Sequence, residues 1–148
     1  MIDYDQLPKR SHVNYGFKFG GIGFLVLTTV YITALLTFQS TKPDFVLWFF
    51  QLFVYYIMGN QAAAAQSEKQ RNTLEQNQGV AAAAIGAAMV MSIGIWIFKI
   101  LRDVYFGIVN PYGILLMIVW VLVDVPIAIG IGAAAGRSKT SVYKENFY

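Results

Sequence analysis

ILLMIVWVLVDVPIAIGIGAAA, residues 114–135, is apolar throughout except for Asp124, which lies two residues before Pro126. A helix of this length exceeds the roughly 20 residues needed to cross about 30 Å of hydrocarbon. A carboxylate at mid-membrane depth is costly, so Asp124 is the side chain that most requires an explanation.

Working outward, the run extends over 112–135, and three similar ones precede it at 19–38, 45–65 and 80–101. Of the 148 residues, 57% are hydrophobic and 13% charged, whereas a soluble surface calls for about twice that share of charge. The pattern predicts an all-α integral membrane protein with four transmembrane helices. The short connection 39–44, with Pro43 suited to a helix start, and the link through 103–111 arrange them as two antiparallel hairpins.

The chain then divides into an N-terminal segment 1–18, a first hairpin 19–65, a polar connector 66–79, a second hairpin 80–136 and a tail 137–148. The connector, QSEKQRNTLEQNQG, is rich in helix formers, so the second span is expected to continue as a stalk before turning near Asn77 to Gly79. The first apolar run begins only after Lys18 and is long enough to span, which reads as a true first helix rather than a cleaved signal. Lys9, Arg10, Lys18, Lys69, Arg71, Arg137, Lys139 and Lys144 fall on one side, against Lys42, Lys99 and Arg102 on the other. The positive-inside bias places both termini in the cytoplasm, in the plasma membrane for a bacterial source. Trp48 and Trp96 are expected as interface anchors, and Lys99 to snorkel to the outer headgroups.

A weak echo links the halves: Pro43 and Pro111 each precede an apolar run that leaves through alanines into a basic end. A duplicated hairpin and convergent use of alanine both account for it.

Helices associate in lipid through close packing of small residues. Ala82 with Gly86, and Ala128 with Gly132 and Gly136, recur every four positions and predict tight helix contacts, within one chain or between subunits. The outer half of the second span is bulky, and Phe49, Phe50, Phe53 and Tyr56 form a candidate partner surface.

The candidate polar constellation is Asp124 with Gln51 and Tyr55, alongside Ser92 and the hydroxyls of the first span. Three readings stay open: a proton or cation relay loosened by Pro126, a protonated aspartate fastening two helices, and a salt bridge to a partner protein. No cysteine and a single histidine, His12, exclude disulfides, thiolate chemistry and a histidine metal cluster. Neither HExxH, GxSxG nor a phosphate-cradling loop occurs, so no catalytic residue, metal or cofactor is assigned and an enzyme is not the expectation.

Two functions lead, ahead of receptors, lipid-binding modules and an unusual membrane enzyme. The first is a nonenzymatic accessory or assembly subunit of a membrane protein complex. The second is a small oligomeric cation or small-solute channel or transporter using Asp124. Partners are membrane lipids and another integral membrane protein or a further copy of the chain; nucleic acid is not expected, because the basic residues sit beside spans.

Overall fold

A computed structural model describes residues 11–38, 45–69, 76–107 and 111–144, with side chains over 13–37, 46–67, 79–107 and 111–139. The described residues form four helices: α1 (Ser11–Phe38), α2 (Phe45–Lys69), α3 (Gln76–Tyr105) and α4 (Pro111–Lys144). Each runs past its apolar segment. The turn expected near Asn77 does not form, because α3 already begins at Gln76. Lys9, Arg10, Lys42, Pro43 and Arg71, which entered the hairpin and orientation arguments, lie outside the described residues.

Local chemistry explains the ends of the second pair. Pro111 opens α4, where its missing N–H costs no helical hydrogen bond. At the other end of the link, the Gly107 N–H donates to the Val104 carbonyl at 3.1 Å and Gly107 takes φ 65°, a conformation glycine adopts without a Cβ clash.

Three helices carry stretches long and apolar enough to cross a membrane: Val13–Thr37, Gly79–Tyr105 and Pro111–Lys139. α2, expected to match them, falls short. Gln51, Asn60, Gln61 and Gln66 dilute its apolar content although its 25 residues give it the length. Position explains how it carries Gln51 and Gln66. α2 touches α1, α3 and α4, and α3 touches the other three, whereas α1 and α4 do not meet among the described residues. Helices α2 and α3 thus form the centre, and the polar side chains Gln51 and Gln66 of α2 are buried there.

Contact registers follow from the glycines. Along α1 and α3, Gly16 lies by Ala83 and Gly86, Gly20 by Ala87 and Val90, and Phe24 against Gly94, so residue numbers rise together. Along α3 and α4 they run opposed, Gly132 meeting Ile85 and Gly136 meeting Ala81. Numbers also oppose between α1 and α2, where Gly23 lies by Met58 and Tyr31 reaches Gln51.

One half of the bundle is built from small residues. Ala63, Val80, Ala84 and Ala135 form one buried cluster and Ala62, Ala83 and Ala87 another. The other half holds Leu27, Tyr31, Val54, Tyr55, Met91, Ile95 and Trp96 around Ala88 and Ala128. A Cβ added at Gly132 would stand 2.7 Å from the Ile85 Cα and 3.0 Å from the Ala84 carbonyl oxygen, so only glycine permits this backbone approach. Gly136 is similarly close to Ala81, and Ala128 is fully buried. Gly86 packs by Gly16, but Ala82 is exposed. The α3 interfaces pass instead through Ala83, Ala84, Ala87 and Ala88, one or two positions around the helix from the expected stripe.

Candidate functional site

Asp124 is 0% exposed in the middle of the bundle. Its neighbours on α4 explain how it gets there: Asp124, Ala128, Gly132 and Gly136 share the inward stripe, while Leu122, Val123 and Ile129 face outward. The proline-freed backbone at Pro126 lies on an exposed turn.

Donors from two other helices converge on the carboxylate. From α2, Trp48 Nε1 donates to Oδ1 at 3.0 Å, Gln51 Nε2 to Oδ2 at 3.1 Å and Tyr55 Oη to Oδ2 at 2.9 Å. From α3, Ser92 Oγ donates to Oδ2 at 2.6 Å and Trp96 Nε1 to Oδ2 at 3.0 Å. The spacings make this possible: positions 48, 51 and 55 fall on one face of α2, and 92, 96 and 99 on one face of α3.

A second layer bears on the first through Gln51. Its Oε1 accepts from Tyr31 Oη of α1 at 3.0 Å and from Lys99 Nζ at 3.5 Å, and its Nε2 also donates to Tyr55. An ammonium only donates, so Lys99 fixes the Gln51 amide with its oxygen toward α1 and its NH2 toward Asp124. The Lys99 ammonium further lies 4.5 Å from the Tyr31 ring centroid and 4.4 Å from that of Trp96. Cation and aromatic faces attract at these distances. Four helices therefore share one continuous polar network.

Two sequence expectations change here. Lys99 does not snorkel: it is 8% exposed, turned inward by the two rings and the Gln51 oxygen. Trp48 and Trp96 are not solvent-side anchors, because both indole N–H groups are used on Asp124. Neither change follows from hydropathy, which sees an apolar ring and a charge near a helix end. The missed signal was the shared spacing of Trp48 with Gln51 and of Lys99 with Ser92 and Trp96.

The structure brings Asp124, Gln51 and Tyr55 together. It leaves the first-span hydroxyls outside the network, apart from Tyr31. Thr28, Thr29 and Thr33 instead return their hydroxyls to backbone carbonyls four residues earlier. Arg102 pairs with the adjacent Asp103 at 2.6 Å. Asn60 accepts from Ser138 at 3.5 Å, linking α2 to α4 in the small-residue half. Phe49, Phe50, Phe53 and Tyr56 all lie exposed on α2.

Chemically, the site is a carboxylate in a shell of donors. The two indoles and the Gln51 amide nitrogen can only donate, while Tyr55 and Ser92 can turn to accept. Such a shell satisfies an acceptor, and its three N–H groups, from Trp48, Gln51 and Trp96, present hydrogens to anything approaching Asp124. Among the described residues, no group of three His, Cys, Asp or Glu side chains gathers to hold a metal. Comparison with protein-family models, curated proteins and solved structures found no match for this chain.

Proposed function

We propose that the chain is a nonenzymatic accessory or assembly subunit of a membrane protein complex, a bundle of four spans in two antiparallel hairpins with both termini in the cytoplasm. The observation that carries this reading is the fully buried Asp124 with donors from α2 and α3 on both its oxygens. Such a hub fastens helices. A relay needs a carboxylate that can meet a moving cation, and the N–H groups around Asp124, with the Lys99 ammonium behind them, oppose a cation at that place. The channel or transporter reading is therefore the weaker one.

The opposed registers of α1 with α2 and of α3 with α4 support the hairpins. Membrane insertion is supported by the three apolar helices, and a crossing α2 by its length and its place between them. With Gln51, Lys99 and Asp124 turned inward, the exposed positions of α4 from Ile114 to Ile129 are all apolar, and α4 is the least buried of the three apolar helices. In this reading α4 faces lipid, and Phe49, Phe50, Phe53 and Tyr56 of α2 supply the outer-half contact with a partner membrane protein.

Affinity recovery of the tagged chain from its own membrane tests this. A co-purifying membrane protein should be lost when the four aromatics are replaced by alanine, while the yield and helicity of the chain itself stay unchanged. Unaltered recovery of the partner would rule out the docking surface. Purified chain in liposomes should show no cation flux sensitive to Asp124→Asn; such a flux would restore the transport reading.

A further inference from the structure

Helix α2 has the least apolar composition of the four and yet occupies the centre, where Trp48, Gln51 and Tyr55 all point to a carboxylate on α4. Considered alone, α2 would carry Gln51, Asn60, Gln61 and Gln66 into hydrocarbon, where unpaired polar groups are expensive. Asp124 on α4 would be a lone intramembrane charge and Lys99 on α3 an extra cation beside the Arg102–Asp103 pair, and α3 and α4 are apolar enough to insert by themselves. Put together, Gln51, Lys99 and Asp124 satisfy one another, and Asn60 accepts from Ser138, while Gln61 stays on the outer surface. Lys99 reaches the Gln51 oxygen at 3.5 Å, and the Gln51 nitrogen reaches Asp124 Oδ2 at 3.1 Å. The amide thus sits between opposite charges in the one orientation that serves both.

From this geometry we infer that Lys99 is the counter-charge of Asp124, relayed through Gln51, and that the balanced pair on α3 and α4 is what retains α2 across the membrane. α2 is a dependent span, Lys99 a positioning residue acting through Gln51. This rests on the proposed crossing of α2 but not on the identity of any partner, and it assigns Lys99 a role that the accessory-subunit reading does not require.

The chain contains no cysteine, so single thiols can be introduced without a background. Ile57→Cys places one midway along α2 and Leu25→Cys places a control midway along α1. Membrane-impermeant maleimide is applied to sealed and to opened vesicles. In the parent chain both thiols should be protected from either side. Lys99→Met and Asp124→Asn each leave one charge unbalanced, and each should raise labelling at position 57 roughly tenfold or more, since an uncompensated buried charge is strongly destabilising. Position 25 should stay protected, which separates loss of α2 from collapse of the whole bundle. The double variant, again neutral, should recover much of the protection at 57, and Lys99→Arg should retain it.

Labelling of position 57 in the parent chain would overturn the crossing of α2 and this inference with it. Protection in both single variants would overturn the inference alone, leaving the crossing intact. A double variant no better than the worse single one, or equal exposure at 25 and 57, would also overturn it, because charge balance would then not be what holds α2.

Discussion

Replacing Asp124 with alanine removes both acceptor oxygens at once and leaves a shell of donors facing each other. Ser92 can turn its hydroxyl to a carbonyl of its own helix, as Thr28 and Thr29 already do. Gln51 keeps Tyr55, Tyr31 and Lys99. The indole N–H groups of Trp48 and Trp96 have no such recourse, because each donates to Asp124 and an indole cannot rotate its donor independently of the ring. A stranded buried donor costs about 1–3 kcal/mol, giving about 2–6 kcal/mol for the two. Polar contacts between membrane helices average only about 0.6 kcal/mol, because separated helices also find partners, so the lower part of that range applies. The expected loss is about 2–4 kcal/mol for Asp124→Ala. Asp124→Asn retains one acceptor and should lose roughly half as much. Reversible unfolding in bicelles or mixed micelles reads this directly, followed by helical circular dichroism and by tryptophan emission. Two of the three tryptophans lie in the hub, so emission reports the site itself. A loss below about 0.5 kcal/mol for alanine, within the range of ordinary surface substitutions, would refute the hub.

Other expectations separate the elements. Gly132→Ala should destabilise by about 1–3 kcal/mol, because its Cβ meets backbone that cannot yield without separating α3 from α4. Gly130→Ala, two residues away with nothing within 4 Å of its Cβ, should be neutral or stabilising by up to about 1 kcal/mol; the same unfolding assay compares the two. Tyr31→Phe keeps the ring beneath Lys99 but removes the hydroxyl on Gln51, and should cost about 0.5–1.5 kcal/mol in that assay. Alanine at Phe49 and Phe53, which are exposed, should leave unfolding within about 0.5 kcal/mol of the parent while reducing partner recovery.

Much of the helical plan was legible because apolar length is a one-dimensional property. The runs at 19–38, 80–101 and 112–135 each lie within a helix long and apolar enough to span. The same measure overrated α2, whose aromatic first half masks Gln51, Asn60, Gln61 and Gln66. Gln51 and Gln66 make sense only once α2 is known to be surrounded, because both are buried there. Asp124 announced itself by its cost, and Gln51 and Tyr55 by their depth. Trp48, Trp96 and Lys99 did not, since an indole near a helix end has the same sequence signature whether its N–H meets water or a carboxylate. A lysine stem likewise reaches either headgroups or the interior, and two aromatic rings and one amide oxygen settle the matter inward. The intrachain contacts of the Ala82 and Gly86 stripe were only partly legible for a related reason: an alanine tract offers several faces at four-residue spacing, Gly86 meets Gly16 while Ala82 is exposed, and contact with Gly59 and Gly132 selects Ala84.

The proposed role meets its most direct test in native mass spectrometry of the chain released gently from its source membrane. The expected result is a reproducible heteromeric complex that contains the 16.5 kDa chain and at least one other membrane protein. A lone monomer, or a homo-oligomer with no other protein, would contradict the accessory-subunit reading.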